Sequence, residues 1–234
     1  IVHVFNQRGH LLFNFGGEGR DNGALIHPES ICTDISGHIL VADQGNWRGK
    51  GWVSMFTSRG KFVRKVASGL SMVGRIAVGQ EGQLIVLAAW NKILVFTAAG
   101  NGSFTQGEQF GKNATYLTGY VTYDKEGNLY LSHQDGHTIY GYKSQGECFM
   151  KFGKWGWHEG QLNHPSGICT SDLGHIIVAN TGNKRVDMFK RDGGFIRTVV
   201  NIPKPYGIAM GPDGQLVVTD ENSVTIVPGQ MICP

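Results

Sequence analysis

Trp47, Arg48 and Lys50 fall within four residues of one another, in the run Trp47-Arg48-Gly49-Lys50-Gly51. Indole rings beside cations support two kinds of recognition chemistry. They stack nucleobases at about 1–3 kcal/mol per base while the cations meet phosphates. They also anchor protein segments, because Trp, Tyr and Arg dominate interface hot spots. The combination recurs in Trp90 with Lys92, in Lys154 with Trp155 and Trp157, and in the pair Lys184-Arg185. Catalytic and metal chemistry find less to work with. Cys32, Cys148, Cys169 and Cys233 show no CxxC spacing, which argues against zinc. His38 and His175 fall in turns, and His27 and His164 each precede a proline in equivalent loops, so these four read as structural.

The bulk numbers set the frame for such a surface. The chain has 234 residues, 41% of them apolar and 17% charged, so a sizeable core can be buried. Its 35 glycines, roughly double average usage, are spread along the chain and imply many short strands joined by many turns. A net charge of +3 and a pI near 8.7 permit an RNA or acidic partner without demanding one. No apolar run approaches the roughly 18–20 residues of a membrane span, so no membrane association is expected. The chain starts at Ile1 rather than Met, and the expectation is a piece of something longer, with any targeting segment outside it. Free thiols and a cytoplasmic, reducing setting are favoured over disulfides, against which stand the sequons at Asn101 and Asn113.

These residues are positioned by a repeat. Five segments share one internal ruler: PESICTDISGHILVAD (28–43), VGRIAVGQEGQLIVLA (73–88), TGYVTYDKEGNLYLSH (118–133), PSGICTSDLGHIIVAN (165–180) and PYGIAMGPDGQLVVTD (205–220). In each, an aliphatic marker (Ile31, Ile76, Val121, Ile168, Ile208) precedes a turn glycine by six positions and a closing residue by twelve. The closing residues are Asp43, Ala88, His133, Asn180 and Asp220, and the markers are spaced 45, 45, 47 and 40 apart. Each unit reads as two apolar strands joined by a tight Gly turn, then a third strand ending in an aromatic or aliphatic, then a fourth. Four antiparallel strands per 40–47 residues predict an all-β, β-propeller fold, because one such sheet cannot bury both its faces alone. The expectation is a single domain over 1–234, with five blades beginning near 28, 73, 118, 165 and 205. Residues 1–15 supply strands that close the ring on the last blade, and six blades is the alternative.

The fourth segment carries a resemblance. Pro165-Ser166-Gly167-Ile168, Gly174-His175-Ile176-Ile177-Val178-Ala179-Asn180 and Asn183-Lys184-Arg185-Val186 with Phe189 resemble an NHL repeat, as do Ile39–Arg48 and the lead-ins at Phe15 and Phe152. Degenerate units of this kind are similar to the C-terminal NHL domains of the tripartite-motif E3 ubiquitin ligases. That resemblance implies a target-recognition domain for RNA or protein, non-catalytic and without cofactor, with any ligase chemistry and any oligomerisation in domains outside this chain. The alternatives are a protein-interaction scaffold without RNA binding, and a metal-dependent propeller enzyme. For the latter, the amidating lyases of this class place zinc-binding histidines after the opening proline, where this chain has Glu29, Ser166 and Tyr206. The twelve-step column offers Asp43, Asn180 and Asp220 to a lactonase-like metal, but also Ala88 and His133, and the favoured reading is that these residues, with Arg48 and Arg185, tie strand ends to loops by charged hydrogen bonds.

The repeat assigns the candidates their places. The loop from the second to the third strand and the connection into the next blade lie on one face, which collects all five tryptophans. The first such loop is long: 13 residues separate Asp43 from Phe56, against 8 or 9 in the next three units. The position before the marker is small in three units (Ser30, Gly167, Gly207) but Arg75 and Tyr120 in the two eroded ones, which puts a cation and a phenol beside the channel, joined by Tyr206 and His133. The candidate partner-binding set is therefore Trp47, Arg48, Lys50, Arg75, Trp90, Lys92, Tyr120, His133, Lys154, Trp155, Trp157, Lys184, Arg185 and Tyr206, with no catalytic and no metal-ligating residues.

Overall fold

In the computed structural model, the described residues are 1–17, 19, 22–45, 50–79, 81–88, 92–98, 104–110 and 119–232. The fold class is all-β, a five-bladed β-propeller. The chain divides into two compact units, Ile1–Thr115 and Tyr116–Pro234. No helix among the described residues is long and apolar enough to cross a membrane.

The first unit opens with a hairpin of β1 (Val2–Phe5) and β2 (Leu11–Phe15). The first blade follows as β3 (Pro28–Thr33), β4 (Ile39–Asp43), β5 (Gly51–Phe56) and β6 (Phe62–Leu70). The second blade is β7 (Ile76–Val78), β8 (Leu84–Ala88), β9 (Lys92–Ala98) and β10 (Phe104–Phe110). In the second unit, the third blade is β11 (Val121–Tyr123), β12 (Leu129–His133), β13 (Thr138–Tyr142) and β14 (Cys148–Phe152). The fourth is β15 (Pro165–Thr170), β16 (Ile176–Asn180), β17 (Arg185–Phe189) and β18 (Phe195–Asn201). The fifth comprises β19 (Ile208–Met210), β20 (Leu216–Thr219) and β21 (Val224–Val227). Within every sheet, neighbouring strands are consecutive and antiparallel.

The six-step glycine has a mechanical role. At Gly37 the chain is left-handed (φ 80°), Gly37 N–H donates to Asp34 O at 3.0 Å and Asp34 N–H donates to His38 O at 3.0 Å. This is a type I turn closed by a left-handed residue, which glycine adopts without a Cβ penalty. Asp34 reinforces it by accepting the amides of Ser36 and His38, and Asp124 repeats the device with Glu126 and Asn128.

Burial follows from stacking blades. In β16 all five residues are buried: Ile176 and Val178 pack towards the third blade with Tyr130 and Ile139, while Ile177 packs towards the fifth with Leu216 and Val218. A strand covered on both faces loses the polar alternation of a half-solvated one. In the first unit, Leu40, Ala42, Val53 and Met55 meet Ile76, Leu84, Val86 and Leu94 in the same way.

The innermost strands touch directly, which explains the small residue before the marker. Gly167 N–H donates to Tyr206 O at 2.7 Å, and a Cβ built on Gly167 would lie 2.4 Å from that oxygen. Gly167 does not have a positive φ, so close approach of the next blade sets the requirement, not a sharp turn. At the equivalent place Ser30 Oγ accepts the amide of Ile76 at 3.1 Å.

Candidate functional site

The recognition candidates of the second unit converge on the connection 153–164 and the turn between β16 and β17. Leu162, fully buried in the core between the third and fourth blades, pins the connection. A parallel bridge joins Trp155 to Leu162, with Leu162 N–H on Lys154 O at 3.0 Å. Side chains of the fourth blade then grip its backbone. Arg185 donates from Nη1 to Trp157 O at 3.0 Å and from Nη2 to His158 O at 2.8 Å. Asn183 Nδ2 donates to Gly156 O at 2.9 Å, and Asn180 Nδ2 to Gln161 O at 2.8 Å.

The grip is itself anchored. Arg185 and Asp187 lie two apart on β17 and so project to the same face. Arg185 Nε meets Asp187 Oδ2 at 2.8 Å and Oδ1 at 3.0 Å. Asp187, fully buried, also accepts from Asn180 Nδ2 at 2.7 Å and Thr198 Oγ1 at 2.8 Å. Asn180 Oδ1 accepts the amide of Asn163 at 2.8 Å.

What this frame presents is aromatic. Trp155 and Trp157 are 54% and 61% exposed, with ring centroids 4.4 Å apart and planes at 67°. They lie outside the core and do not plug a gap between blades. Lys154 and Lys184 are exposed in the same neighbourhood, Lys184 in left-handed backbone (φ 57°) closing the 3-10 turn Thr181–Asn183. Arg185 is committed to the frame and only part-exposed, so it positions the surface instead of lining it.

The other candidates are placed as follows. Trp47, Arg48 and Trp90 lie outside the described residues. Lys50 and Lys92 are exposed in the first unit. Arg75 reaches back to the preceding innermost strand, with Nη1 donating to Glu29 O and lying 3.6 Å from Glu29 Oε2. Tyr120 packs against the core between the third and fourth blades, and its amide donates to Ser132 Oγ at 2.9 Å. His133 sits against Tyr140, ring centroids 6.1 Å apart, and Tyr206 lies beneath Lys204 Nζ at 5.4 Å. Trp52, expected with the loop tryptophans, belongs to β5 and is covered by Lys65 Nζ at 3.9 Å.

The twelve-step column does the hydrogen-bonding work expected of it. Buried Asp43 accepts the amides of Ile26 (2.7 Å), His27 (3.0 Å) and Gly45 (2.7 Å). Asp220 accepts those of Asn222 and Ser223, which hold its carboxyl below the usual carboxylate range. Among the described residues, no group of three or more His, Cys, Asp or Glu is placed to hold a metal ion. Cys32, Cys148 and Cys169 are free thiols. The frame residues Asp187, Asn183 and Gln161 were not among the candidates. The spacing of Arg185 and Asp187, two apart on a strand, was the available signal.

Residues 162–187, which include most of this frame, match the NHL repeat family. NHL-repeat-containing protein 4 of Homo sapiens is 36% identical over 77 residues, 32% of this chain and 63% of that protein. E3 ubiquitin-protein ligase TRIM32 of Homo sapiens is 25% identical over 282 aligned positions, 90% of this chain and 43% of that protein. The chain thus spans less than two thirds of the length of these curated relatives. Among solved structures, a nidogen/laminin complex superposes with a TM-score of 0.68 at 14% identity, covering 87% of this chain and 76% of that one, a likeness of fold alone. The chain is thus a β-propeller whose fourth blade matches the NHL repeat over residues 162–187, and which is similar along 90% of its length to a tripartite-motif protein.

Proposed function

We propose that this chain is the target-recognition domain of a tripartite-motif-type E3 ubiquitin ligase, non-catalytic by itself, which binds RNA or a protein segment. The observation that carries the reading is the exposed Trp155–Trp157 pair on a connection held by four side-chain donors from the fourth blade. A surface ordered before its partner arrives loses little further entropy on binding. Lys154 and Lys184 supply the charge that a phosphate backbone or an acidic segment would meet. On this reading any ligase chemistry lies in domains outside this chain. The free thiols of Cys32, Cys148 and Cys169 support a cytoplasmic setting. A metal-dependent enzyme is disfavoured because Asp43 and Asn180, its best ligands, are saturated by backbone amides and a side-chain partner.

The test is a titration of the chain with a random-sequence single-stranded RNA pool across a salt series, followed by indole fluorescence. RNA recognition gives saturable quenching that weakens steeply with salt. Replacing both Trp155 and Trp157 with Ala then weakens binding by at least about tenfold, from stacking of 1–3 kcal/mol per base. A flat titration at low salt refutes the RNA arm. Unchanged binding by the double variant refutes the surface.

A further inference from the structure

The end of the fourth blade away from the tryptophans carries a second concave surface. The turns Ser171–His175 and Lys190–Gly194 lie there, because antiparallel strands place alternate connections at opposite ends. They line, with β18 and the segment after the 3-10 turn Gly229–Met231, a cavity of about 640 Å³. That volume is in the range of ligand sites.

Its lining divides by chemistry. Leu173, which is 67% exposed, and half-buried Ile196 make its accessible apolar wall, with the buried side chains of Met188 and Ile232 behind them. Lys190, Arg191 and Arg197 supply three cations. His175 also stands in the wall, its Nδ1 buried with no hydrogen-bond partner among the described residues. The lining includes no carboxylate, and those nearby are committed: Asp172 pairs with Lys125 at 3.0 Å and Asp192 accepts the Gly194 amide at 2.9 Å.

The cations are drawn to opposite rims. Arg191 Nη2 bonds Glu126 Oε2 at 2.5 Å, on the third-blade side, while Arg197 Nη2 donates to Met231 O on the fifth-blade side. Lys190 is exposed and makes no ion pair among the described residues. Spread charge around an apolar centre does not suit one small head group. It suits a ligand with an apolar anchor and anionic groups on both sides.

We propose that this cavity is a docking site for an acidic peptide segment, one large apolar side chain seated against Leu173 and Ile196 and flanking carboxylates on Lys190, Arg191 and Arg197. The site is independent of the tryptophan surface, so its failure would leave that reading untouched.

The probe is an acetylated Glu-Asp-Leu-Phe-Asp-Glu amide, titrated calorimetrically into the intact chain. Saturable binding below about 1 mM is expected. Leu173→Ser and Lys190→Glu, both at exposed side chains, should each weaken it at least about tenfold with the melting temperature unchanged. The Gln/Asn-substituted peptide should not bind. The proposal is overturned if no saturable binding occurs, if both variants bind as the parent does, if the neutral peptide binds equally, or if only decanoate saturates the site, which would make it an amphiphile pocket.

Discussion

Replacing Asp187 with Ala removes the acceptor of four contacts at once: two from Arg185 Nε, one from Asn180 Nδ2 and one from Thr198 Oγ1. Summing them separately at about 1.5–3 kcal/mol each would overshoot, because they share one desolvated group. The better guide is the cost of breaking a buried ion pair by deleting one partner, about 3–5 kcal/mol, since the Arg185 side chain is only 14% exposed and is left charged without its counter-ion. For a unit of this size, roughly 3–6 °C per kcal/mol gives a fall in melting temperature of roughly 10–30 °C by calorimetry. The double variant Arg185→Met/Asp187→Leu removes both charges, and Asn180 Nδ2 keeps Gln161 O. Much of the stability should therefore return, with a coupling energy of at least about 2 kcal/mol in the cycle. The tryptophan connection should not recover with it, because the Trp157 and His158 carbonyls have lost their donors; faster amide exchange over 155–161 would show this. A loss below about 1 kcal/mol in Asp187→Ala, or strict additivity in the double variant, would refute the reasoning.

Three further outcomes are expected. Gly167→Ala should cost about 1–3 kcal/mol by overpacking against the Tyr206 carbonyl, whereas Gly17→Ala, with nothing within 4 Å of the added carbon, should be neutral; thermal melts compare them. Among the described thiols, exposed Cys148 should react fastest with a disulfide reagent in the folded chain, half-buried Cys32 more slowly, and buried Cys169 only on unfolding, the last two pushed up to about 12 chiefly by burial; equal native rates would contradict this. His137 accepts the His164 amide at 3.0 Å through Nδ1, and burial together with neighbouring His164 holds its pKa below the ordinary 6.5. A depressed histidine pKa means the unfolded chain binds the proton first, so this contribution is complete above pH 6.5 and fades as pH falls through the folded value. An NMR titration of His137 that placed its midpoint above 6.5 would reverse the sign.

The strands were legible because they repeat. The six-and-twelve ruler located the hairpins and their turn glycines, and the third strands appear at 51–56, 92–98, 138–142, 185–189 and 224–227. The ruler also marked where the repeat is eroded. The innermost strands that follow Arg75 and Tyr120 are three residues long, as is β19 of the fifth blade, against six where Pro28 and Pro165 open the strand. The site was only partly legible. Trp155 and Trp157 were identifiable from residue type and loop position, but the frame beneath them was not. Its donors terminate on backbone carbonyls, which every residue carries, so the acceptors leave no mark in the sequence. Arg185 was legible as a tie between a strand end and a loop, whereas Arg75, read as a cation beside the channel, is bound to a backbone oxygen that leaves no mark in the sequence.

That same choice of acceptor has an evolutionary reading. Arg185, Asn183 and Asn180 hold the connection through the carbonyls of Trp157, His158, Gly156 and Gln161, not through what those residues project. The side chains at 155, 157 and 158 are thereby uncoupled from the scaffold. A lineage could exchange them one at a time and acquire a new target without refolding the blade, much as a handle accepts different blades. A library randomised at these three positions should yield mostly folded proteins with diverse ligands, whereas one randomised at 180, 183, 185 and 187 should yield few folded at all.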